Sequence, residues 1–133
     1  MAGFTDTSEL EILRAFLKGT DITYRANANW YFALFTGDPT DTANTGTEAT
    51  YTSYARVALP KASSFTEGSP FTNTNLIQSP KCTGGSNSLT HFGLCTLATG
   101  GTLEIVGTLN SALAVSNNIQ PQFGAGTLAF GLD

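Results

Sequence analysis

Charge is scarce in this chain. Lys, Arg, Asp and Glu together make up 12% of its 133 residues, and the formal net charge is −4. The six basic residues are Arg14, Lys18, Arg25, Arg56, Lys61 and Lys81, and only Arg14 and Lys18 lie close in sequence. Binding to a phosphate backbone needs a clustered basic face, so nucleic acid is not an expected partner. No segment is long and apolar enough to span a bilayer, so no membrane association is expected. No basic region followed by an apolar run opens the chain, and the expectation is a protein that stays where it is made. One histidine and two cysteines argue against a closed zinc site. There is no Gly-x-Ser-x-Gly elbow. Gly84-Gly85 and Gly124-Ala125-Gly126 are not followed by the Lys-Ser/Thr of a phosphate loop and read as turns or bulges. No internal repeat is visible.

What is present suits a folded domain. Apolar residues reach 41%, and disorder would require low hydrophobicity with high net charge. A chain this long is most simply one domain and buries roughly two-thirds of its unfolded surface. The reading is residues 1–133 as one domain, with an N-terminal arm and helix over 1–28 and a β-sandwich over 29–133. The helix is expected from Ser8 to Lys18. Ser8 and Glu11 suit a capping box, Leu10, Leu13 and Leu17 share a face with Phe16 and Ile12 beside it, and Gly19 can end it. That apolar face would cover either one end of the chain's own β core or a neighbouring subunit.

After Gly19 the pattern is strand and turn. Trp30–Thr36 is an aromatic-rich apolar run that stops at Gly37-Asp38-Pro39, as a buried strand meeting a turn does. The segment from Leu89 to Leu97, the turn Ala98-Thr99-Gly100-Gly101 and the return from Leu103 to Leu109 form the clearest hairpin. Asn117-Asn118 is a further turn, Leu128, Phe130 and Leu132 alternate in a last strand, and weaker strands fall at Val57–Leu59 and Asn75–Ile77. Pro60, Pro70 and Pro80 keep the middle third out of central strands. The fold class is all-β: a jelly-roll-like sandwich of short antiparallel strands with one short helix.

No residue reads as a catalyst, and no cofactor or metal is expected. His91 lies in a strand beside Phe92, where a core or cross-strand role is the simpler one. Cys82 and Cys95 are two small buried hydrophobes or a disulfide, and a reducing cytosol would keep the thiols free. Asp38, Asp41 and Glu48 bring oxygen ligands to one long loop, but their spacing fits no EF-hand, and a solvated acidic loop is the plainer reading.

Several segments carry a resemblance. The short N-terminal helix, Phe32-Ala33-Leu34-Phe35-Thr36-Gly37-Asp38-Pro39, Gly46-Thr47-Glu48, Tyr54-Ala55-Arg56, Thr90–Leu94 and Phe123–Leu128 together resemble small virion structural proteins of tailed bacteriophages. Such proteins serve as head decoration (cement) or tail-associated components. The resemblance implies a protein without an active site, located on the outer capsid surface of the virion, where it bridges and stabilises major capsid subunits. A homo-oligomer, with a trimer favoured, would suit the threefold positions of a capsid. A tail or head–tail connector protein and a carbohydrate-binding β-sandwich using Asn29, Trp30 and Asp38 are the alternatives. The expected interface residues are Phe4, Trp30, Asp38, Asp41, Glu48, Tyr51, Tyr54 and Arg56. The arm Met1–Thr7 and the loop Asp38–Thr50 are expected to make the contacts, as polar segments that order on binding.

Overall fold

The computed structural model describes residues 2–22, 24–39 and 47–131. Asp41, Asn44 and Leu132 lie outside them. The elements run β1 (Gly3–Phe4), α1 (Asp6–Lys18), β2 (Asn29–Phe35), β3 (Val57–Pro60), β4 (Phe65–Thr66), β5 (Phe71–Asn73), β6 (Ile77–Gln78), β7 (Asn87–Cys95), β8 (Leu103–Val115), β9 (Gln122–Phe123) and β10 (Ala129–Phe130). A five-stranded sheet of order β1-β8-β7-β2-β3 is the main layer. A three-stranded sheet, β10-β5-β4, and the pair β6-β9 supply the rest of an all-β, sandwich-like fold.

Strand β2 explains the unbroken apolar run. It is flanked by β3 and β7, and Phe32, Ala33, Leu34 and Phe35 are all buried. Alternation sends Phe32 and Leu34 to a large core with Phe92, Leu94, Ile105 and Phe130. It sends Ala33 and Phe35 to a small cluster with Cys95 and Leu103 on the other face. A strand buried on both faces has no reason to alternate polar with apolar. Gly93 faces Ala33 across the β2–β7 ladder. A Cβ there would sit 2.5 Å from Leu103 Cδ1 and 2.7 Å from the Ile105 carbonyl oxygen, so the site admits only glycine without a shift.

The expected hairpin is β7 and β8, and the expected turn residue Asn118 has φ +72°. Pro60 ends β3, an edge strand, where a missing N–H is tolerated. The irregular middle of the chain is organised by Asn73, which is buried. Its amide donates to the carbonyls of Asn75 and Gly124, and its Oδ1 accepts from the Leu128 N–H. Cys82 and Cys95 are free and buried, in separate clusters.

Two expectations are corrected at the N-terminus. The described part of the arm is not a loose polar segment. Ala2 is fully buried, Gly3 and Phe4 pair with Val106 and Ile105, and the Ala2 N–H donates to the Ala129 carbonyl. The helix begins two residues before Ser8, and its N-cap is Thr5. The Thr5 hydroxyl oxygen accepts from the Ser8 N–H and its O–H donates to the Leu103 carbonyl, so capping and docking use one side chain. Ser8 is thereby freed to turn inward. Gly19, at φ +68°, closes the helix as its position suggested.

Candidate assembly surface

The helix packs in reverse of its pattern. Ser8 is its one buried residue, and Ile12 and Ala15, four and seven positions on, are half-buried on the same side. The opposite side carries Leu10 at 48% exposure, Leu13 at 53% and Leu17 at 72%, with Phe16 at 84% on the flank. A helix on its own core normally buries that stripe. Here the inward contact is polar. The Ser8 hydroxyl donates to the Glu104 carboxylate, which is 2% exposed. Glu104 reaches that place through a bulge. Leu94 pairs with Ile105 while Cys95 pairs with Leu103, so Glu104 is the extra residue of β8. Bulges re-aim side chains in this way. Burial pushes the Glu104 carboxyl above the ordinary carboxylate value, and the nearby Glu11 charge adds to that, against hydrogen bonds from Ser8 and Tyr24. Scattered exposed apolar side chains mean little, but a contiguous stripe marks an interaction surface.

Three expected interface residues, Glu48, Tyr54 and Arg56, are joined in an internal clamp. Residues 47–49 return along β2, where Ala49 N–H donates to the Leu34 carbonyl and Thr36 N–H to that of Thr47. The chain then leaves β2 and rejoins it as β3. Tyr54 fills the gap: its hydroxyl accepts from the Leu34 N–H and donates to Glu48 Oε1. Arg56 Nε and Nη2 hold both Glu48 oxygens at 2.8 and 2.9 Å. Arg56 Nη1 donates to the carbonyls of Leu97 and Gly100 in the β7–β8 turn. Burial raises the Glu48 carboxyl, but hydrogen bonds from Arg56 and Tyr54, with the Arg56 charge, leave it below its ordinary value. Tyr51 is 3% exposed, donates to the Pro80 carbonyl, and has its own hydroxyl pushed up to about 12 by burial and the neighbouring Cys82. Asp38 is exposed at the loop's start, and Asp41 lies outside the described residues. Among the described residues no cluster of side chains could hold a metal ion, and no helix is long and apolar enough to cross a membrane.

Phe4 and Trp30 do come together, in a feature the sequence did not suggest. They line a groove of about 850 Å³ at the open edge between the five- and three-stranded sheets, with Phe65, Phe71 and Phe130. Lys61 Nζ lies 4.6 Å from the Trp30 ring centroid and donates to the Tyr24 carbonyl, and Glu67 sits at the groove's exposed side. Apart from β2, which carries Trp30, the strands that bring these rings together are two or three residues long, too short for an alternation pattern to announce them.

Residues 3–131 match the family model described as Podophage GP4 fiber I protein gp80. No curated protein matches the chain. The match covers nearly all of the sequence, and the chain belongs to this family, which makes it a structural protein of a phage virion.

Proposed function

We propose that this member of the gp80 fibre-protein family is a subunit of a tail fibre or fibre base, and that it acts by association rather than by chemistry. The observation that carries the reading is the outward leucine stripe of α1. A monomer gains nothing from it, and an assembled subunit can bury it. The name of the matching family favours a fibre over a head-decoration protein docked on a major capsid protein. Locating the chain in purified virions by labelled antibody separates the two. A fibre subunit labels the tail. Label spread over the whole head lattice would overturn the fibre reading and restore the decoration one.

The groove favours a second reading, a carbohydrate-binding module. Aromatic faces beside a carboxylate and an ammonium group, here Trp30, Phe71, Glu67 and Lys61, match the amphipathic character of a sugar ring. A glycan array tests it. Binding that is lost in Trp30→Ala supports this reading, and no binding to any glycan overturns it.

A further inference from the structure

We infer that the aromatic groove between the two sheets takes sugar units that carry a carboxylate, such as uronic acids, with Lys61 as the group that selects the charge. The inference rests on the carbohydrate reading of the groove and narrows it to one ligand class.

Lys61 is held in place before any ligand arrives. Its backbone N–H donates to the Ala28 carbonyl. Its Nζ donates to the Tyr24 carbonyl at 2.7 Å and lies 4.6 Å from the Trp30 ring centroid. An ammonium has three N–H donors, and Tyr24 takes one of them. Among the described residues no carboxylate, Glu67 included, comes within ion-pair distance of Lys61. Burial pulls its pKa below the ordinary lysine value, as expected of a cation drawn partly out of water with no opposite charge beside it. A carboxylate entering the groove supplies that charge. One cation suits one carboxylate, whereas a polyphosphate needs a clustered basic face.

The rest of the lining decides what bears the carboxylate. Phe65 and Phe130 pack edge to face with 5.5 Å between centroids, and Lys61 covers one face of Trp30. Phe71, at 43% exposure, is the most open ring in the groove. A sugar ring can lay its C–H face on such a surface while its hydroxyls point to the rim. Glu67 and Ser69 stand at that rim on the β4–β5 turn, an acceptor and a hydroxyl for those groups. The volume of about 850 Å³ lies in the range of small-ligand sites and leaves room for linked units.

The test uses the purified full chain and calorimetry. The probes are tetragalacturonate, an oligomer of glucuronic acid, and the neutral carboxyl-reduced form of each. An acid should bind roughly tenfold or more tightly than its neutral form, the worth of a hydrogen bond to a charged group. Lys61→Gln should bring that ratio close to one, and Lys61→Arg should keep it. Phe71→Ala should weaken acid and neutral form alike, with far-UV circular dichroism unchanged in all three variants. Neutral forms bound as tightly as the acids, or a preference for acids that survives Lys61→Gln, would overturn the inference and leave the carbohydrate reading standing. Acid binding unchanged in Phe71→Ala would put the site elsewhere and overturn it too. No binding of any of the four probes would also overturn it, and the glycan array then decides the carbohydrate reading separately.

Discussion

Strand β2 and helix α1 each carry a dense set of large apolar residues, and the fold treats them in opposite ways. In β2, Phe32 to Phe35 are no more than 2% exposed. In α1, Leu10, Leu13, Phe16 and Leu17 are about half exposed or more, while a serine is the buried residue. The strand is held by burial and the helix by a cap, a hydroxyl–carboxylate bond and a neighbouring strand. Apolar periodicity reports where a surface wants to be covered. It does not report which molecule covers it.

The largest effect that would break this comparison is on core truncation. Leu34→Ala should destabilise the chain by about 2–5 kcal/mol, read by chemical denaturation at a dilution where copies do not associate. Leu17→Ala under the same conditions should change stability by less than about 0.5 kcal/mol. Similar losses for both would show that α1 carries its stripe against its own domain after all.

Next in size is overpacking. Gly93→Ala puts a Cβ against Leu103 and the Ile105 carbonyl, inside the sheet, and should lower stability by about 1–3 kcal/mol. Gly19→Ala, with open space around it and only its left-handed φ to strain, should lower it by about 1 kcal/mol. Equal losses would mean that the helix end is as tightly built as the core.

Tyr54→Phe sharpens the same contrast on the strand side. It leaves the Leu34 N–H without its partner and takes one hydrogen bond from Glu48, a loss of about 1–3 kcal/mol for a buried group left unsatisfied. No loss would mean that water enters the gap between residues 47–49 and β3.

The smallest expected effects are in pH dependence, and their signs differ between the regions. The Glu48 carboxyl lies below its ordinary value. Its contribution is therefore full above the unfolded carboxylate pKa and lost as pH falls through the folded one. Glu104 lies above its ordinary value. Its ionisation therefore opposes folding, with a penalty that begins as pH rises through the unfolded pKa and is complete above the folded one. Glu48→Gln should flatten the acid-side loss of stability, whereas Glu104→Gln should remove a decline toward neutral pH. Unfolding curves from about pH 3 to about pH 7 check both. A Glu104→Gln variant that still loses stability toward neutral pH, with a Glu48→Gln variant that still loses it in acid, would reverse the assignment.

Local signals settled much of the architecture. Unbroken hydrophobicity in Trp30–Phe35 identified a buried strand that ends at a turn, the Ala98–Gly101 turn identified the β7–β8 hairpin, and Gly19 marked the helix end, because each rests on residues adjacent in the chain. The candidate site was less legible. Glu48, Tyr54 and Arg56 stood out as polar and aromatic residues near a long loop, yet their partners are the Leu34 N–H and the carbonyls of a distant turn. The N-cap was read at Ser8 because sequence shows hydroxyls without showing that Glu104 waits across the sheet.

The sequence by itself therefore determined an all-β domain with one amphipathic helix, since periodicity and turn chemistry act over a few residues. Only the tertiary structure decided which way that helix faces. A one-residue bulge in β8 aims Glu104 at Ser8, and that long-range polar contact, with the Thr5–Leu103 bond beside it, is invisible to any local pattern and turns the leucine stripe away from the core.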